Sequence, residues 1–340
     1  MFAHNMSWVQ YPSLVSPDVE DVIAAQSITS RLTQVYLALL APLGLASGVF
    51  NLATLLRGWA RLGSLGAFLV DLTVTNMLVV LLSLTAVPRP DYLVTTNLGC
   101  GVLAFGANVC YFNAQYLQVV MLFAFLLPSS PSCLPVVTKW VLRPALVLGA
   151  ILGCTLCSSL GVVALLGTSG ELYTTTRCQL DPLTAWPEYE VVKFSLGFGL
   201  TLLLQLVFGI LLLVTQAWQG TAAQRDTALA MPVVLAMALT MSACRLFYNV
   251  LLLHRASLKL QGSLGSPRDE LLMNIAELLL FGESCVTSLE TLLLYQPCRK
   301  ALRRAQQRLT CRGCQKSATG SISSPGAGSQ LTGRHEPPRV

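Results

Sequence analysis

The stretch from Gly99 to Leu127 reads GCGVLAFGANVCYFNAQYLQVVMLFAFLL and contains no Asp, Glu, Lys or Arg. A helix rises about 1.5 Å per residue, so such a run crosses a hydrocarbon core roughly 30 Å thick. It lacks the strict alternation of a half-buried strand. Working outward, comparable apolar runs occur at Thr33–Leu56, Leu65–Val87, Val141–Gly167, Val191–Trp218, Ala228–Leu253 and Leu271–Tyr295. The chain as a whole is 54% hydrophobic and 11% charged, with a mean hydropathy of +0.62, which excludes an ordinary soluble domain. Backbone polar groups cannot be left bare in lipid, so the runs predict seven hydrogen-bonded helices.

The expected fold is therefore an all-α membrane protein, a seven-transmembrane helix bundle with a short amphipathic cytoplasmic helix after the seventh span. Its expected parts are an extracellular segment over 1–32, the bundle over 33–296, the amphipathic helix over 297–310 and a disordered cytoplasmic tail over 311–340. No Lys/Arg-plus-apolar leader precedes the first run, so an uncleaved N-terminus is expected.

Orientation follows from the 22 Lys and Arg residues. With the N-terminus outside, Arg57, Arg61, Lys139, Arg143, Arg225 and the basic residues from Arg299 to Arg339 all fall inside, as the positive-inside bias requires. Asp18, Glu20, Asp21, Asp91, Glu171, Asp181, Glu188, Glu190, Asp269 and Glu270 fall outside, although acids weigh little in topology. A plasma-membrane protein with a cytoplasmic C-terminus is the expectation. Asn5-Met6-Ser7 is a glycosylation sequon on the outer side.

Two of the eleven cysteines face an oxidising compartment in this topology: Cys100, at the start of the third span, and Cys178, in the second outer loop. No other cysteine lies in an outer loop, so a disulfide between them is expected. Cys110, Cys154, Cys157, Cys244 and Cys285 lie within spans and read as small packing residues. Cys298, Cys311 and Cys314 flank a stretch in which Ala301, Leu302, Ala305 and Leu309 alternate with Arg303, Arg304 and Arg308, the pattern of an interfacial helix. Palmitoylation of Cys311 or Cys314 fits the basic patch beside them, and free cytosolic thiols fit equally. Beyond Lys316 the composition is that of a disordered tail, with Ser317, Thr319, Ser321, Ser323 and Ser324 as phosphorylation candidates.

Seven helices, the third-span cysteine paired to the second outer loop and a short last helix together resemble a rhodopsin-like (class A) G-protein-coupled receptor. Leu72-Thr73-Val74-Thr75-Asn76-Met77-Leu78 is similar to that family's Leu-Ala-x-x-Asp-Leu-Leu, with Asn76 in place of the aspartate. Gly48-Val49-Phe50-Asn51 is similar to its first-helix Gly-Asn pattern, and Cys298-Arg299-Lys300-Ala301-Leu302 to the Phe-Arg-x-x-Leu that opens its last helix. The activation motifs depart from the family. Ala124-Phe125-Leu126 stands at Asp-Arg-Tyr, Cys244-Arg245-Leu246-Phe247-Tyr248 at Cys-Trp-x-Pro-Tyr, and Thr287-Ser288-Leu289-Glu290-Thr291 at Asn-Pro-x-x-Tyr. The resemblance thus implies an orphan-like receptor with an extracellular ligand, and a heterotrimeric G protein or arrestin as partner, but without the family's arginine lock or sodium-holding aspartate.

Ionisable residues inside a span are costly and so mark candidate sites; here they are Asp71, Arg245, Glu277, Glu283 and Glu290. At 100° per residue the three glutamates fall within roughly 120° of one another. Arg245 and Glu283 are expected to pair at similar depth, either as a packing device or as part of a site. Glu277, with Tyr248, Tyr111 and Phe112, is expected to line an outward pocket suited to a cationic group. Lys193 is read as lying near an outer edge.

Catalysis is not expected. His4 and His335 are near the termini and His254 is at a span edge, so no zinc site assembles from histidine. Paired intramembrane aspartates are missing, as is a mid-span lysine in the seventh helix for a Schiff base. No cofactor, metal or nucleic-acid partner is indicated; the bilayer itself is the expected surrounding. A non-coupled decoy or scaffolding relative, or a transporter using Arg245 with Glu277 or Glu283, stands as the alternative, although no internal repeat supports the latter.

Overall fold

The structure, a computed structural model, describes residues 17–58, 63–86, 94–126, 143–166, 173, 175–178, 185–219, 225–262 and 266–319. The chain divides into two compact units, Met1–Arg299 and Lys300–Val340. Seven helices in the first unit are long and apolar enough to cross a membrane: Val22–Arg57, Ser64–Thr85, Asn97–Leu126, Pro144–Ala164, Pro187–Thr215, Met231–Leu260 and Arg268–Leu294. The chain is a seven-helix membrane protein.

The third span is the hub. It packs on the second, fourth, fifth and sixth, while the seventh packs on the first, second and sixth. The third is also the most buried of the seven, and its sequence shows why. Asn108, Asn113, Gln115 and Gln118 are buried among Ala104, Phe112, Leu117 and Met121, and polar groups persist in an apolar span where neighbouring helices can satisfy them. Leu69, Leu72, Leu117, Met121 and Met237 form the main apolar cluster.

Helix starts follow local chemistry. Pro144, Pro187 and Pro267 stand in the first turns of the fourth, fifth and seventh spans, where a missing N–H costs nothing. Ahead of Pro267, the Ser266 hydroxyl accepts from the Asp269 backbone N–H while the Asp269 carboxylate accepts from the Ser266 N–H, a capping box.

The first span is interrupted by a π-helical turn at Tyr36–Leu40. Pro42 stands two residues past its end, and the wider turn relieves the clash of its ring with the preceding carbonyls. A second π turn, Ser195–Gly199, lies in the fifth span. There Gly197 presses on the third span so closely that a Cβ would collide with the Tyr111 ring.

Two boundaries and one burial differ from expectation. Helix begins at Pro17, well before Thr33; proline in the first turn and the acids Asp18, Glu20 and Asp21 suit a helix N-terminus, and the extended helix docks along the seventh span. The last helix runs Gln296–Thr319, past the expected end at 310, through residues such as Arg312, Gln315, Lys316 and Ala318 that tolerate helix well. In its described part Ala301, Leu302 and Ala305 are half-buried and Arg303, Arg304 and Arg308 exposed. Cys154 and Cys157, expected as packing residues, are exposed on the fourth span.

At one end of the bundle Cys100 and Cys178 are joined by a disulfide with Cα atoms 5.2 Å apart. Beside it the short strands β1 (Val94–Thr96) and β2 (Thr175–Arg177) pair antiparallel, Thr95 opposite Thr176. Threonine and valine suit such a ladder.

Candidate functional site

The site is built at the meeting of the third, sixth and seventh spans. Arg245 is 3% and Glu283 1% exposed. The guanidinium makes a two-pronged contact, Nε donating to Glu283 Oε2 at 2.8 Å and Nη2 to Oε1 at 2.9 Å. Its Nη1 donates to the Tyr111 backbone carbonyl at 3.0 Å, and its Cζ lies 4.9 Å from the Tyr111 ring centroid. Paired charges with planar, bidentate geometry are the form in which burial is tolerated. The Tyr111 hydroxyl is held in turn by Asn249, whose Nδ2 donates to it at 3.0 Å.

Above this floor, toward the disulfide, lies a cavity of about 50 Å³. Val79, Leu82, Leu280 and Phe281 give its lining apolar surface, and Asn108, Lys193, Glu277 and Ser284 give it polar groups. Of the four residues expected to form a ligand site, Glu277 and Tyr111 line it. Phe112 and Tyr248 do not: both are fully buried in the apolar cluster alongside. Neighbouring helical positions point 100° apart, so Tyr111 and Phe112 cannot share a face.

The missed residue is Lys193. Near the end of its span as expected but turned inward, it is 5% exposed, and its ammonium lies 5.3, 5.5 and 5.4 Å from the ring centroids of Tyr111, Tyr189 and Tyr248. Its Nζ also donates to the Tyr189 hydroxyl at 3.4 Å. The aromatic faces expected to receive a foreign cation therefore already hold one of the protein's own. A usable signal was present: Tyr189 and Lys193 are four residues apart and share a helix face.

Asn108 contributes a different feature. Its Nδ2 donates to the Ala104 carbonyl at 2.9 Å, which fixes the amide's orientation, and its buried Oδ1 has no hydrogen-bond partner among the described residues.

Polar contacts continue below the ion pair. Asp71 and Thr75 both accept from Asn113 Nδ2, at 3.0 and 2.8 Å. Asn76 donates to Thr287 at 2.9 Å, Asn51 to the Ser288 carbonyl at 2.8 Å, and Thr240 to Glu290 at 2.6 Å. Gln115 accepts from Gln205, which accepts from Ser242, tying the third, fifth and sixth spans. At the end away from the disulfide, Leu126, Leu212 and Met231 form an apolar cluster with Phe125, Phe208 and Leu235 packed on it. Phe125 is part of that contact.

Nearer the disulfide, Glu190 of the fifth span meets Arg255 at 3.1 Å and Lys259 at 2.6 Å on the sixth. Lys259 also donates to the Ala185 carbonyl at 2.9 Å. His254 and Asp269 approach to 3.6 Å.

Asn5 lies outside the described residues. The side chains of Cys311 and Cys314 are likewise not among those described. Cys298, in the first turn of the same helix, is fully buried in the main apolar cluster, where burial pushes its thiol up to about 12; a thiol so placed is a poor nucleophile for acylation.

The chain matches no protein-family model, and no curated protein is significantly similar to it.

Proposed function

We propose that this chain is an atypical receptor of the rhodopsin-like class, lying in the plasma membrane with the disulfide end outside and reading an extracellular ligand through the cavity above Arg245 and Glu283. The observation that carries this reading is the connectivity of the cavity floor. Arg245 belongs to the sixth span, Glu283 to the seventh and Tyr111 to the third, and the three are bonded together directly beneath the cavity. A ligand seated there contacts the junction of three helices, so its binding energy acts on their relative positions. A disulfide at the outer end and the excess of Lys and Arg at the other support the orientation.

In this reading the partners are an unidentified extracellular ligand and, on the inner side, a heterotrimeric G protein or arrestin engaged without the family's arginine. The test is an energy-transfer sensor panel covering each G-protein class and arrestin, in cells where surface level is verified by an N-terminal tag. Basal signal above mock, altered by Glu277→Gln at equal surface level, is the expected result. Silence across the panel, with no response to Phe125→Arg, would turn the reading toward a non-coupled relative.

One observation favours a transporter instead. Glu290 lies two helical turns below Glu283, and its buried Oε2 has no hydrogen-bond partner among the described residues, a placement suited to carrying a proton. Proton-coupled uptake into vesicles containing the purified chain, lost in Glu290→Gln, would establish that alternative.

A further inference from the structure

We propose that the last helix, Gln296–Thr319, is a docking surface for anionic phospholipid headgroups, its hold on a bilayer set by lipid charge and not by apolar insertion. The surface is separate from the cavity and does not depend on a ligand entering it.

Charge is the first observation. Arg299, Lys300, Arg303, Arg304, Arg308, Arg312 and Lys316 all belong to this helix, and no Asp or Glu occurs between Glu290 and Glu336. The acid–base pairs at i,i+4 that lace an ordinary solvated helix are therefore impossible within it, and its counter-charge has to come from outside. Lys300, Arg303, Arg304 and Arg308 are exposed. At 100° per residue these four and Arg299 fan over about half of the helix circumference, and neighbours in the fan, such as Lys300 and Arg304, have Cβ atoms about 5–6 Å apart. Most of them are arginine, whose planar fork matches the oxygens of a phosphate.

Placement is the second. The seventh span ends at Leu294 and the last helix begins at Gln296. At about 1.5 Å per residue, Arg299, Lys300, Arg303 and Arg304 lie within about 12 Å of Gln296 along the helix. That is close to the roughly 8 Å over which charges act in physiological salt, before the length of an arginine side chain is added.

The third is the poverty of the apolar stripe. The helix holds no aromatic residue and no Ile, Val or Met, and the half-buried positions past its first turn are Ala301, Leu302 and Ala305. A helix held by insertion carries Trp, Phe and several Leu, and one that fills the groove of a protein partner needs bulky anchors at i, i+3 or i+4, and i+7. Neither set is present. Each basic residue near an anionic surface, by contrast, multiplies binding about fivefold, so seven of them outweigh so small a stripe.

The experiment uses the full-length chain in nanodiscs of phosphatidylcholine alone, or with phosphatidylserine or a phosphoinositide added to equal total charge. Amide hydrogen exchange over residues 296–319 is the readout. Exchange should be at least about fivefold slower in both anionic discs than in the neutral one, and salt at about 1 M should erase most of the difference. Joint replacement Arg303→Gln, Arg304→Gln and Arg308→Gln, at exposed positions where glutamine keeps helix propensity, should abolish most of the slowing in anionic discs and leave exchange in phosphatidylcholine unchanged. The proposal is overturned if neutral and anionic discs give equal exchange, if the triple variant keeps the full difference, or if slowing appears only when an acidic calcium-binding protein is added. Slowing in anionic discs beside a silent signalling panel supports this proposal and counts against the receptor reading alone.

Discussion

Asn76 of the second span donates to the hydroxyl of Thr287 on the seventh at 2.9 Å. Both are neutral, and they stand where the resembled family carries an aspartate and an asparagine. Thr287 also donates to the Glu283 carbonyl at 2.9 Å, so the second span is tied to the same helix turn that holds the buried ion pair. Replacing sodium by choline should leave the thermal stability of the wild-type chain unchanged. Asn76→Leu should cost about 1 kcal/mol, and Asn76→Asp more, because a carboxylate is far costlier than an amide to bury without a cation. Chemical or thermal unfolding in detergent measures all three.

Arg245→Ala should lower stability by about 3–5 kcal/mol, since it leaves the Glu283 carboxylate buried and alone. The joint change Arg245→Met with Glu283→Leu removes both charges and should cost clearly less. Equal losses in the single and double variants, measured by the same unfolding assay, would mean that the two residues do not act as a pair.

Cys100→Ala and Cys178→Ala should reduce surface expression to a similar degree, because either change opens a loop with a sequence separation of 78 and forfeits about 2–4 kcal/mol. The double change should add little. Additive losses in quantitative flow cytometry would assign the two thiols separate roles.

Gly197→Ala should destabilise by about 1–3 kcal/mol, because the added methyl meets the Tyr111 ring, itself fixed by Asn249. Gly161→Ala, on the fourth span where a Cβ meets nothing among the described residues, should be neutral or slightly stabilising. The contrast within one assay separates close packing from helix propensity.

The seven spans were legible because hydropathy is continuous over twenty or more residues and needs no knowledge of neighbours. Arg245 and Glu283 were legible for a related reason: a charge inside a span has few tolerable environments, and an opposite charge at similar depth is one of them. The start at Pro17 was not, because that segment is polar and owes its helix to a first-turn proline, acids at the N-terminus and docking against the seventh span. Lys193 was misjudged because position along a helix does not report direction around it. A lysine near a span end ordinarily reaches for the headgroups, whereas this one points inward among tyrosines supplied by the third and sixth spans as well as its own. Phe112 and Tyr248 were misjudged on the same account, since aromatic character marks burial without distinguishing a cavity wall from a packed core.

The two ends of the bundle are fastened by different kinds of force. Near the disulfide, Glu190 grips Arg255 and Lys259 through bonds that hold only at set distances and angles. At the other end, among the described residues, the third, fifth and sixth spans meet through Leu126, Leu212 and Met231, contacts with no preferred direction that weaken gradually as surfaces slide. A load placed on the junction at Arg245 therefore meets a clasp on one side and a slip joint on the other. Under the proposed receptor reading, a ligand that displaces the sixth span in the cavity would pivot it about the clasped end and move it most at the face where Phe125 stands.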